Sequence, residues 1–255
     1  MAKIARFVGM DVHAETITVA IAEGRDVRSL GTIPNRPDAV RKLIKKLGDP
    51  ASLRVCYEAG PTGYVLYWQL TRLGVHCDVI APSLVPKMAG DRIKTDRRDA
   101  VKLARSYRSG DLSPVWVPDA YHESLRDLVR AREAAKEDES RARQRLGKYL
   151  LRYGQRPGDG CRVWTAAWWQ WVRHLKLPQA EQNIVLLEHI MEVDHQAQRI
   201  ERLEAAIDRA VQAAPAHLKA IVDALQSLRG VAKLTAITLA TEFARSFVSS
   251  APAKS

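Results

Sequence analysis

A chain of 255 residues with a formal net charge of +11 can bury one good core or two modest ones, and its surplus of Lys and Arg suits a polyanionic partner, nucleic acid first. No apolar run approaches the roughly 18 residues of a membrane span, and Met1 leads straight into a strand-like pattern without a signal-peptide core, so a cytoplasmic location is expected. Cys56, Cys77 and Cys161 are odd in number without C-x-x-C spacing, and the seven histidines include no H-E-x-x-H pair; buried thiols are expected, and a disulfide framework, a zinc ribbon or a structural metal site is not.

Residues 4–34 carry β-branched and apolar residues broken by "HAET" and "EGRD", which predicts a meander of three short strands. "RPDAVRKLIKKLG" then places Val40, Leu43, Ile44 and Leu47 at helical spacing and stops at Gly48. "LRVCYEAG" reads as a buried strand, "TGYVLYWQLTRLG" as a helix and "VHCDVIAP" as another strand, the alternation of parallel crossover units. A helix is expected from Asp96 to Arg108, and Gly110, Pro114 and Pro118 punctuate the chain after it. Beyond a boundary at residue 118, Leu125, Leu128, Val129, Ala135, Ala142, Leu146 and Tyr149 stand among dense charges and predict a long exposed helix. From Leu186 a 4-3 spacing runs through Ile190, Val193, Ala197, Ile200, Glu204, Ile207 and Val211, a coiled-coil seam with one polar member. These two helices would pair antiparallel, within the chain or between subunits, and Ile190, Ile200 and Ile207 favour self-association. Two further helices meet at Gly230. The expected division is 1–118, an α/β domain; 119–214, a helical coiled-coil region; and 215–255, the incomplete start of a C-terminal domain.

Four carboxylates carry the chemistry of this reading. Asp11 nears the end of the first strand, and Glu58 ends a later strand, where open α/β sheets place their sites. Asp96 and Asp99, at i and i+3, share one face of the helix that begins there. Clustered carboxylates repel one another and bind Mg²⁺, and two such ions serve in-line phosphoryl displacement. Singly, each acid has a plainer reading: Asp96 capping its helix with Thr95, Asp99 pairing with arginines, Asp11 in a turn. Lys87, Arg92, Lys94, Arg97, Arg98, Lys102, Arg105 and Arg108 surround the acidic pair and would hold phosphates while the acids hold metal. Arg141, Arg143, Arg145, Lys148, Arg152 and Arg156 form a second basic patch, for RNA or DNA backbone or for solubility alone. Gly60 and Gly63 open a helix either so that its amides face a phosphate or because its N-terminus needs glycine for close packing. Trp164, Trp168 and Trp171 at i, i+4 and i+7 predict one helix face in a core or subunit interface rather than a base-stacking platform.

The strings "GMDVHAETITVAI", "YEAGPTGY", "DRIKTDRRDAVKLA" and "LRGVAKLTAITLATEF" resemble the RuvC-type insertion-sequence transposases with an Asp-Glu-Asp-Asp tetrad, the class of Piv-type invertases and bridge-RNA-guided recombinases. The resemblance implies an RNase H-like (RuvC-like) N-terminal domain with Mg²⁺ at Asp11, Glu58, Asp96 and Asp99, a coiled-coil middle, and a C-terminal domain supplying a nucleophilic serine for DNA strand exchange. It also implies DNA as substrate, a structured guide RNA and a homo-oligomer. Ser246, Ser249 and Ser250 lack the Ser-Gly context of that nucleophile, so no serine is assigned and the chain is expected to be C-terminally truncated. Two alternatives remain from the residues: a catalytically inactive nucleic-acid-binding module, and an actin-like sugar kinase, against which His13, Ala14 and Glu15 stand in the turn that would wrap phosphates.

Overall fold

The computed structural model describes residues 6–86 and 95–243, in two compact units divided between Val117 and Pro118. The first unit is a five-stranded sheet in the order β3-β2-β1-β4-β5, built from β1 (Arg6–Val12), β2 (Thr16–Glu23), β3 (Asp26–Pro34), β4 (Leu53–Glu58) and β5 (His76–Ile80). β1, β2 and β3 pair antiparallel, while β1–β4 and β4–β5 are parallel. This is the expected α/β fold of RNase H-like type. Gly24, at φ 56°, turns β2 into β3 at low steric cost.

Alternation divides the strands between two faces. Val8, Met10, Ile17, Val19, Val55 and Tyr57 form one core with α1 (Pro37–Leu47) and α2 (Val65–Arg72). The four apolar residues that predict α1 are its buried face. Gly60 and Gly63 fall in the turn before α2 rather than in its first residues: the Gly63 N–H donates to the Gly60 carbonyl at 3.0 Å, and Gly63 has φ 62°.

The opposite face of the sheet receives α3 (Asp96–Ser109). Small residues meet there: Ala20 and Ala22 of the sheet pack on Ala100 and Ala104 of the helix, and Cys56 and Ile80 pack on Leu103. A Cβ built on Gly9 would lie 2.4 Å from the Ala104 nitrogen and 2.5 Å from the Ala100 oxygen, so only glycine lets the helix backbone come this near the strand. The Arg108 guanidinium donates to the carbonyls of Gly24 and Asp26, which gives this residue a structural post. Gly110, in the left-handed conformation, ends the helix.

The second unit is helical: α4 (Ala120–Arg152), α5 (Ala166–His174), α6 (Ala180–Ala213), α7 (Ala216–Gln226) and α8 (Lys233–Glu242). α4 and α6 run antiparallel, since Arg132 bonds Glu204 at 2.7 Å, Arg199 bonds Asp138 at 3.2 Å and the Tyr149 hydroxyl donates to the Gln182 carbonyl at 2.8 Å. The seam residues Ile190, Ile200 and Ile207 are therefore buried inside one chain, the first of the two pairings that the sequence allows. Glu204, the polar seam member, has its partner in Arg132.

At one end of this hairpin Trp168 and Val172 pack with Leu146, Leu150, Leu186 and Ile190. Trp164 precedes α5 and has φ 67°, so the three tryptophans are not one helix face; Trp164 still meets Trp168, ring centroids 4.4 Å apart. Cys161 is only partly buried, unlike Cys56 and Cys77. At the other end Leu218, Val222, Ile237 and Ala240 of α7 and α8 close over Leu125, Val129 and Ile207. The buried Arg126 donates twice to the Thr241 carbonyl, and Arg130 grips Glu242 in a two-pronged pair. The last two helices thus share the core of the hairpin. Among the described residues no helix is long and apolar enough to cross a membrane.

Gly9→Ala is expected to destabilise the protein by about 2–3 kcal/mol or more, because the added methyl meets backbone rather than a flexible side chain. Urea unfolding of the two proteins checks this, with the m-value unchanged if the loss is confined to packing.

Candidate functional site

The site lies where the strand tips pass under the first turn of α3. Phe7, Gly9 and Asp11 share the α3 face of β1, and Asp11 pairs with Thr18 across the antiparallel ladder. Glu58 ends β4 one position beyond the parallel pair Met10–Tyr57, so it stands beside Asp11 on the face it shares with Cys56. Thr95 caps α3, its hydroxyl accepting from the Arg98 N–H, so Asp96 is the first helical residue rather than the cap. Asp96 and Asp99 occupy the first turn, where unpaired N–H groups and the helix dipole favour negative charge.

His13 joins this group, two residues past Asp11 along extended chain. Its Nε2 lies 3.3 Å from Asp11 Oδ2 and 3.7 Å from Asp96 Oδ1. The turn that carries it is tied down, with the His13 N–H donating to the Thr16 carbonyl and Asn35 Nδ2 donating to the His13 carbonyl, both at 2.8 Å. One ligand atom each from Asp11, His13 and Asp96 lie within 4.8 Å of one another. Glu58 is exposed and Asp99 half-buried, and both stand outside that tight group, Asp99 close enough to act on Asp11 through its charge. The spacing D-x-H was the available signal for His13, since alternate residues of an extended segment point the same way.

Burial pushes the Asp11 carboxyl above its ordinary value; His13 pulls it back, and the charges of Asp96 and Asp99 push it up again. A dication would relieve that repulsion, and carboxylate oxygens with one imidazole are a fitting donor set. Beside the group an open groove is lined by Val12, His13, Ala14, Asn35, Pro61 and Thr62, with space for a ligand to approach.

The basic residues divide. Arg97, Arg98 and Arg105 are exposed on α3 and Lys102 is half-buried, with Arg98, Lys102 and Arg105 at i, i+4 and i+7. Lys87, Arg92 and Lys94, like Ser246, Ser249 and Ser250, lie outside the described residues. On α4, Arg141 is engaged by Asp138 at 2.7 Å and Arg143 by the buried Glu139 at 2.6 Å. Arg145 is exposed and, second to burial, holds the pKa of His189 down.

A raised carboxyl pKa means that the folded state prefers Asp11 protonated. Its contribution to stability is then greatest below the ordinary value of 3.8 and is lost as the pH rises through the elevated folded value. In metal-free buffer at neutral pH, Asp11→Asn should raise the unfolding temperature, and the difference should shrink toward acid pH in a series of thermal melts.

The family model of the DEDD transposases of the IS110 group, described as a transposase, matches residues 8–155, the span that contains all four acids. The chain is 41% identical over 242 residues to "Putative transposase y4qE" of Sinorhizobium fredii, covering 92% of this chain and 57% of that protein. It is 35% identical over 240 residues to the transposase for insertion sequence element IS1533 of Leptospira borgpetersenii, covering 92% and 69%. The chain thus spans between about half and about two thirds of the length of these relatives, and the sugar-kinase alternative is set aside. With Asp11, Glu58, Asp96 and Asp99 at the strand tips and helix start of an RNase H-like sheet, the chain belongs to the DEDD family of insertion-sequence transposases.

Proposed function

We propose that this chain forms the metal-dependent DNA-cleaving domain and the helical region of an insertion-sequence transposase. One observation carries the reading: Asp11 from the central strand and Asp96 from a distant helix come together with His13 between them, in a chain whose relatives are named transposases. Asp11, Glu58, Asp96 and Asp99 would hold Mg²⁺. When bound, a pair of such ions stabilises the attacking and leaving oxygens of phosphoryl displacement. The chain's own part is placement: β1 and β4 fix Asp11 and Glu58 on a rigid sheet, and the first turn of α3 presents Asp96 and Asp99 from above.

Arg97, Arg98, Lys102 and Arg105 would take the phosphates of a DNA strand crossing this edge, contacts that position without reading sequence; Lys87, Arg92 and Lys94 are candidates for the same role from the sequence alone. Arg141, Arg143 and Arg145 are a second contact region, for DNA or a structured guide RNA. Arg141 and Arg143 would exchange carboxylates for phosphates there. Strand exchange, the nucleophilic serine and recognition by a guide RNA belong to the whole transposase, which would act in the cytoplasm as a homo-oligomer. The division into residues 1–118, 119–214 and 215–255 is retained as a functional one, the last being the start of the serine-bearing domain.

The test compares the native chain with Asp11→Asn and Asp96→Asn. Mg²⁺ or Mn²⁺ should raise the melting temperature of the native protein and support binding or cutting of branched DNA, and either variant should lose the metal response and on the order of a hundredfold or more of any cleavage. An identical metal response in the native protein and Asp11→Asn would remove the site assignment.

A further inference from the structure

The acidic cluster leaves a second group of potential ligands unused, in the helical unit. Asp119 caps α4: its Oδ1 accepts from the His122 N–H at 2.8 Å, and its Oδ2 lies 2.9 Å from His122 Nδ1. His122 is 3% exposed and so is held in place by the fold. His217, the second residue of α7, stacks on it with ring centroids 5.7 Å apart and planes inclined by 30°. One ligand atom from each of the three residues lies within 4.8 Å of the others.

We propose that Asp119, His122 and His217 form a site for a borderline transition-metal dication, zinc foremost, distinct from the acidic cluster. The donor set decides the class of ion. Two imidazole nitrogens and one carboxylate suit zinc, whereas Mg²⁺ and Ca²⁺ favour shells made of oxygen.

Geometry sets how the site closes. Zinc holds nitrogen and oxygen at about 2.0–2.2 Å, so ligand atoms of a tetrahedral site stand roughly 3.3–3.5 Å apart. Asp119 Oδ2 and His122 Nδ1, at 2.9 Å, are already near that separation, and the ion takes the place of the proton they share, which passes to solvent. The remaining gap closes by movement of His217, which is exposed and sits on the first turn of its helix. Water completes the fourth position. Two helix N-termini meet here and disfavour a cation, and the Asp119 carboxylate offsets them. The ion would clamp the start of α7 to the start of α4, adding to the hold that Arg126 and Arg130 exert on α8.

The experiment titrates zinc chloride into the full 255-residue chain by calorimetry, with thermal melts alongside, for the native protein, His217→Ala, Asp11→Asn and the two substitutions combined. His217 is at the surface, so its loss leaves the fold standing, as circular dichroism without metal verifies. Asp11→Asn, in which the acidic cluster is disabled, should bind one zinc with a rise in melting temperature, and adding His217→Ala to it should weaken that binding on the order of tenfold or more. Cobalt(II) should give the intense visible bands of tetrahedral coordination in the native chain and not in His217→Ala. No zinc-dependent shift in Asp11→Asn, or a shift that survives when His217→Ala is added to it, overturns the proposal. A shift present in the native chain and lost in Asp11→Asn does so by placing the zinc on the acidic cluster; because that cluster is removed separately, failure here leaves the reading of the acidic site untouched.

Discussion

The contact of α3 with β1 at Gly9 is the constraint from which the acidic site follows. A helix lies over a sheet at a distance set by the side chains between them, and here those are a glycine and four alanines. The axis settles low over the central strand, so the first turn of the helix comes down beside the strand tips. Asp11, two residues beyond Gly9 on the same face, and Asp96, one turn ahead of Ala100, are thereby brought to one imidazole. Burial raises the pKa of Asp11 most, the charges of Asp96 and Asp99 add to it, and the helix N-terminus that faces the group partly offsets their repulsion.

In the helical unit the corresponding constraint is the antiparallel pairing of α4 and α6. A long helix with an apolar stripe needs a partner, and the turn region holding α5 returns the chain so that the partner is its own preceding helix. Glu204 interrupts the stripe and meets Arg132. A charge pair at such a position contributes little net stability, and its use is in registering one helix against the other. Trp168 and the closing pair α7 and α8 seal the two ends of the hairpin, which is why residues 216–242 form part of a core instead of a lone helix pair.

The local elements and the chemical character of the site are legible in the amino-acid sequence. Period-2 and period-3.6 patterns report which face of each segment is buried, and they located the strands, α1, α3 and the two long helices; the acids at strand and helix ends marked the candidate ligands. What each buried face is buried against follows from the tertiary fold. It gave the α6 seam to α4 of the same chain, moved Trp164 off the helix that its spacing suggested, and committed Arg108, Arg141 and Arg143 to partners of their own. It brought His13 between Asp11 and Asp96, and it set His217 on His122 across nearly a hundred residues, a pairing no spacing rule could reveal. The reason is physical: periodicity is a property of one element, whereas convergence depends on register, crossover and the distance between backbones, which here comes down to the missing side chain of Gly9.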